Sequence, residues 1–181
     1  DWRRIRQLAA TAQDRGLPTV LQGHQAALSR ALFSADGSRL ATTSDDCTLR
    51  VWNLADQSSR AYFGHTNEVW RAAWSPDQRH IATSSRDTTV RVWNLESGAA
   101  QVLVGHQSGV RNVAFTSDGR ALYSHSDDLV LRRWDLATGT GQDIDHCSGN
   151  NFLWDEHQVS CVTAEGEVHI HDLTTGQRTD L

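Results

Sequence analysis

Three stretches of this chain spell the same pattern at a fixed interval. Gly-His pairs stand at Gly23-His24, Gly64-His65 and Gly105-His106, so the histidines are 41 residues apart (65−24 and 106−65). The tryptophans at 52, 93 and 134 keep that interval, each followed by Asn or Asp (Asn53, Asn94, Asp135). Asp46, Asp87 and Asp128 each lie 22 residues after their histidine. A period of about 40 residues means one supersecondary unit used repeatedly, each copy burying its apolar face against the next.

Each copy also brings a hydroxyl, an imidazole, a carboxylate and an indole into register. The sets are Thr42, His24, Asp46 and Trp52; Thr83, His65, Asp87 and Trp93; and Ser124, His106, Asp128 and Trp134. An indole can only donate and a carboxylate can only accept, whereas a hydroxyl and a neutral imidazole do both. The four groups can therefore satisfy one another in series, which buried polar groups require. Hydroxyl, imidazole and carboxylate are also the members of a hydrolase triad. Here the set occurs three times at one spacing, with a Trp that catalysis does not need. Function sits at one site on a fold, so copying into every unit speaks for structure. No residue is assigned to catalysis.

On these residues the chain resembles the WD-repeat family of β-propellers over about residues 19–181. The resemblance implies an all-β fold, with blades of four antiparallel strands around a central channel. It also implies a non-catalytic role as a platform for other proteins or domains. The repeats fall at about 23–63, 64–104, 105–145 and 146–181. Local signals agree with short strands. Ser34-Ala35-Asp36-Gly37, Ser75-Pro76-Asp77-Gln78 and Ser117-Asp118-Gly119 are hairpin turns. Inner strands precede them at Leu28 to Phe33, Val69 to Trp74 and Val110 to Phe115, and two more short strands follow each. Leu54, Leu95, Leu136 and Leu173 follow the Trp position or its equivalent and are expected between blades.

The formal charge of −5 and pI near 5.9 argue against nucleic-acid and anionic-membrane partners. Cysteines at 47, 147 and 161 are odd in number, which predicts reduced thiols and a cytoplasmic setting rather than a disulfide framework. No apolar run reaches the length of a membrane span. His157, His169, His171, Cys147 and Cys161 lack the usual zinc-ligand spacings, so neither metal nor cofactor is expected. Asp155, Glu156 and His157 adjoin at an expected turn, but nothing else supports an acid–base pair there.

Residues 1–18 read as an amphipathic helix and linker. Trp2, Ile5, Leu8, Ala9 and Ala12 form one apolar stripe, and Gly16 and Pro18 end it. The stripe either docks on the propeller or belongs to an upstream domain; Arg3, Arg4 and Arg6 form a solvated face. An amphipathic segment running into such repeats is similar to bacterial proteins in which an ATPase or kinase domain precedes a propeller sensor. The resemblance therefore also suggests a larger multidomain signalling protein. Residues 19–22 occupy the slot of an outer strand.

The fourth copy departs from the pattern. His171 takes the Trp position (134+37), Glu165 the Asp position (128+37) and Cys161 the hydroxyl slot (124+37). His146 is the nearest histidine, but 165−146 is 19, so no quartet is expected and the fourth blade should be less stable. Four copies also fall short of the seven blades usual in the family. The ring is completed by further blades of a longer chain, by a second copy, or by four blades closing alone.

In the family, partners usually meet the top face near the channel mouth. Two position types reach it: Asp45, Arg86 and Asp127 before the quartet carboxylate, and Ser29, Trp70 and Arg111 in the inner strands. They vary from copy to copy while the frame stays fixed, as a binding surface on a scaffold should. Trp and Arg are the residue types that dominate interface hot spots. Packing against a neighbouring blade is the competing use of Trp70, and charge balance that of Arg86.

Overall fold

The computed structural model describes residues 20–147, 158–172 and 174–181. Every element in them is a strand. The first sheet holds β1 (Leu28–Phe33), β2 (Arg39–Ser44), β3 (Leu49–Asn53) and β4 (Ser59–Tyr62). The second holds β5 (Val69–Trp74), β6 (His80–Ser85), β7 (Val90–Asn94) and β8 (Ala100–Leu103). The third holds β9 (Val110–Phe115), β10 (Ala121–Ser126), β11 (Val130–Asp135) and β12 (Gly141–His146). The fourth holds β13 (Gln158–Val162), β14 (Val168–Asp172) and β15 (Arg178–Asp180). Each is an antiparallel meander with neighbours in chain order, so the chain is all-β, with three four-stranded propeller-type blades and, among the described residues, three strands of a fourth. The expected helix at 1–18 and the Asp155-Glu156-His157 turn lie outside the described residues, as does Leu173.

The core sits between sheets. Ala41, Leu49 and Tyr62 of the first blade pack with Ala72, Ile81 and Trp93 of the second. Ala82, Val90, Val92 and Leu103 pack with Val113, Phe115, Leu122 and Trp134 of the third. Leu95 and Leu136 join these clusters as expected. Central strands such as β10 are buried along their whole length, which suits sheets covered on both faces. Residues 20–22 do not form the outer strand expected of them: no described strand offers them a ladder. The sheets leave the first blade's side open, with Val20, Leu28 and Phe33 exposed.

All three quartets form. Trp52 Nε1 donates to Thr42 Oγ1 at 2.8 Å, and His24 bridges Thr42 and Asp46 at 2.8 Å each. In the second blade the three distances are 2.8, 2.7 and 2.7 Å; in the third, 2.7, 2.7 and 3.0 Å. The carboxylate only accepts, so imidazole Nδ1 carries the proton and the bare Nε2 accepts from the hydroxyl. Burial alone would raise the Asp46 carboxyl, but the Thr48 hydroxyl, the Gln25 amide and His24 outweigh it and hold it at about 2. Asp87 is likewise held well below the carboxylate range against its burial, chiefly by His65 and the Thr89 hydroxyl. Burial pushes His106 down against the pull of Asp128. It pushes His125 down to about 4, helped by the neighbouring His106.

The fourth blade is fastened differently. Counting from the third, Cys147 holds the quartet histidine's place (106+41) and Cys161 the hydroxyl's (124+37). They are joined by a disulfide. This corrects the expectation of three reduced thiols; among the described residues Cys47 alone is free. An odd count hid the pair, because pairing follows from two slots that face each other in every blade. Glu165 and His146 are exposed and take no part.

Two outcomes follow from these ties. His106 and His125, kept neutral in the fold by burial, must bind a proton on unfolding, so stability falls as pH drops from 6.5 towards about 4. Asp46, depressed from 3.8 to about 2, adds a second loss across that lower window. Urea midpoints measured from about pH 7 downwards should show both stages, and His125→Gln should flatten the first; a midpoint constant down to pH 5 contradicts it. The disulfide spans 14 residues, and closing a loop of that size stabilises by about 3 kcal/mol. After reduction, amides of 161–172 should exchange faster than those of 83–94; equal protection would show that the fourth blade is not the weaker.

Candidate interaction face

Each inner strand opens with a β-bulge. The register slips between Leu28 and Arg30, between Val69 and Arg71, and opposite His125 and Ser126. The residues skipped are Ser29, Trp70 and Arg111. A bulge leaves one residue unpaired and re-aims its side chain. The same edge carries Asp45, Arg86 and Asp127 on the turn between second and third strands. All three turn residues are exposed.

The two position types meet. Ser29 Oγ donates to Asp45 Oδ1 at 2.9 Å. Arg111 Nε donates to Asp127 Oδ1 at 2.8 Å, which raises the guanidinium's pKa. In the second blade Glu68 stands between the pair. It accepts from Trp70 Nε1 at 2.9 Å and from Arg86 Nη1 at 3.0 Å, and the Trp70 bond is the larger cause of its lowered pKa. The Arg111 guanidinium lies 3.9 Å from the Trp70 ring centroid, a cation–π contact that joins the second and third blades. Trp70, Arg86, Thr88, Gln107, Arg111 and Asp127 border a depression of about 550 Å³. Ser29 and Asp45 form a separate pair outside it.

The competing use of Trp70 is also present. A Cβ on Gly109 would come within 2.8 Å of two Trp70 ring carbons, so the indole already leans on the next blade. The residue is half-buried and also lines the depression. Turn strain recurs beside this edge. Cys47, Thr88 and Leu129, spaced 41 apart, have φ of 67°, 71° and 67°, whereas the fourth copy has Gly166 at φ 86°. Non-glycine residues in that region cost about 1 kcal/mol or more and persist only where the surroundings fix them.

The quartet hydroxyls are not available as nucleophiles in this arrangement. Thr83 and Ser124 have no exposed surface, and each already accepts an indole N–H.

A family model described as "WD domain, G-beta repeat" matches residues 16–53, 57–94 and 99–135, more than half of the chain. The chain belongs to the WD-repeat family. A search of curated proteins returns no match. Among solved structures, one described as "Structure of U3-55K" is similar, with a TM-score of 0.72 and 20% identity; the match covers 90% of this chain and 54% of that one. The chain thus spans about half the length of that protein, and the likeness speaks for the fold alone. WD repeats are generally protein-interaction scaffolds and typically non-catalytic. The family match stops at residue 135, before the blade that lacks the quartet. Among the described residues no helix is long and apolar enough to cross a membrane.

Two features of this WD-repeat chain escape a reading by residue type. Glu68 gave no signal beyond its place two residues before Trp70. Arg50, Arg91 and Arg132 also keep the 41-residue interval. They lie over the quartet tryptophans at 5.9, 5.8 and 5.4 Å. Each also covers the glycine of its Gly-His pair, where a Cβ would meet the guanidinium. The repeating unit is therefore a quartet with an arginine lid, and the arginine was legible from its period.

Gly109→Ala should displace the Trp70 ring, since a 2.8 Å approach must be relieved. Overpacking of this kind costs about 1–3 kcal/mol. The urea midpoint and the near-ultraviolet circular dichroism of the indole check it; a variant identical to the parent in both would show that Trp70 moves freely.

Proposed function

We propose that this chain is a non-catalytic protein-interaction platform whose binding face is the edge built from Ser29, Asp45, Trp70, Arg86, Arg111 and Asp127, with Glu68 added. The observation that carries it is the Trp70–Arg111 stack, braced by Glu68 and Asp127 and bordering the depression. Large rigid side chains already held in place lose little freedom on binding, which is what a hot spot needs. Around the stack lie both signs of charge: Arg86 and Arg111 against Glu68 and Asp127. Such a surface suits a protein partner or another domain of the same polypeptide better than a polyanion, and the overall charge of −5 agrees. No cofactor is part of this reading.

The ring is completed by further blades of a longer chain or by a second copy. The exposed side of the first blade supports this: Leu21, Leu28, Ala31, Leu40 and Trp52 border an open groove of about 590 Å³. A larger signalling or sensor protein is the setting we infer, on family analogy; kinase or ATPase motifs in the full reading frame would support it.

The test is a double substitution, Trp70→Ala with Arg86→Glu, against a partner verified by cross-linking to the full-length protein. Loss of a hot-spot pair should weaken binding about 30-fold or more. Because Trp70 also packs on the third blade, the urea midpoint falls as well. Binding is therefore compared without denaturant, where the variant is still folded, with Arg86→Glu alone as the variant that spares that packing. Unchanged affinity would remove this face as the binding site.

A further inference from the structure

A second side-chain cluster lies outside both the quartets and the interaction face. Asp145 on β12 and His169 and His171 on β14 bring one carboxylate oxygen and two imidazole nitrogens within 4.8 Å of one another. His169 Nδ1 lies 2.7 Å and His171 Nε2 2.8 Å from the same atom, Asp145 Oδ2. The three side chains are only 4, 3 and 8% exposed. Histidines two apart on a strand share a face, and the carboxylate arrives from the neighbouring blade. The sequence pattern gave no reason to add Asp145 to the histidine pair, because it stands 24 and 26 residues away.

We propose that Asp145, His169 and His171 form a binding site for one divalent transition-metal ion of the zinc type, set between the third and fourth blades. Two imidazole nitrogens and a carboxylate oxygen are ligands zinc takes, with a fourth position left for water. Calcium and magnesium prefer oxygen donors alone. Donor atoms about 2.1 Å from a tetrahedral ion stand about 3.4 Å apart, so each of the two hydrogen bonds opens by about 0.6 Å.

Proton accounting supports the same assignment. In the metal-free form His169 Nδ1 donates to Asp145 while its Nε2 accepts from Arg178 Nη2 at 2.9 Å. When Nδ1 binds the ion, the ring's proton moves to Nε2. Glu167 Oε2 at 3.4 Å is there to accept it, with Asp180 Oδ1 next nearest at 3.7 Å. Metal-bound histidines commonly donate to such an outer carboxylate. Arg178, half exposed and already paired with Asp180 at 2.6 Å, gives way. The disulfide holds the ligands together: Cys147 lies two residues past Asp145, and Cys161 sits directly opposite His169 across β13 and β14.

The test uses the purified full-length chain, stripped with a chelator and titrated with Zn²⁺ or Co²⁺ alone. The unsubstituted protein should take up one equivalent more than Asp145→Asn and His171→Gln. His146→Gln, an exposed neighbour, should keep that equivalent. Glu167→Gln with Asp180→Asn should bind about tenfold more weakly with the fold intact. Equal uptake by the parent and both ligand variants overturns the site, as does loss with His146→Gln alone. A ligand variant that misfolds leaves the decision to the parent: Co²⁺ must shift the ring-proton resonances of His169 and His171, and their failure to move overturns it as well.

Discussion

The hydrogen bond from each indole into a hydroxyl of its own sheet sets the direction of the other protons in its quartet. Once the hydroxyl has accepted from Trp, its single proton goes to the imidazole, which then presents Nδ1–H to the carboxylate. The carboxylate stays ionised because it has more to accept. It takes the amide of the residue after the histidine at 2.9, 3.0 and 2.7 Å in the three blades. It also takes an amide two residues further along its own turn, from Thr48, Thr89 and Val130, at 3.0 Å each time. The relay therefore stitches the loop entering the inner strand to the turn leaving the second strand. Those two segments carry the interaction face. Asp45, Arg86 and Asp127 stand one residue before the stitched carboxylates, and Ser29, Trp70 and Arg111 lie just after the stitched loops. A buried polar network thus positions an exposed, variable edge without contributing a side chain to it.

Much of this was written locally. The inner strands at 28–33, 69–74 and 110–115 follow from turn residues and apolar spacing, and the structure has them at those bounds. The quartets were legible because donor and acceptor capacities are fixed by residue type and the spacing repeats. What sequence did not yield depends on which side chains the fold brings face to face. Residues 20–22 look like a strand, but a strand needs a ladder that only another sheet can supply. Glu68 matters because Trp70 and Arg86 both reach it, a convergence that no spacing encodes. The cysteine pairing escaped because counting treats thiols as a pool, whereas the fold treats position 147 and position 161 as facing slots.

The arginine lids show how one missing side chain is used. Arg50, Arg91 and Arg132 cross over the indole faces and fill the space a side chain on Gly23, Gly64 or Gly105 would take. A cation over an indole is attracted by its π-face while the stem covers apolar surface. The Gly-His mark of each repeat is therefore two constraints: the glycine admits the arginine, and the histidine receives the hydroxyl's proton.

The fourth blade separates the requirement from the chemistry that meets it. In blades one to three, the segment entering the sheet is held by a histidine bonded to a hydroxyl. In the fourth, Cys147 occupies the histidine's slot and is bonded covalently to Cys161 in the hydroxyl's slot. The indole is gone, and His171 in its place bonds Asp145, two residues before Cys147 on the last strand of the third blade. With no indole N–H to orient it, a hydroxyl at position 161 would lose the donor that fixes its proton, and the relay would have no start. A covalent bond needs no such orientation. What each blade conserves physically is the fastening of its entry segment; the indole relay is one way to achieve it, and a disulfide beside a carboxylate shared by two imidazoles is another.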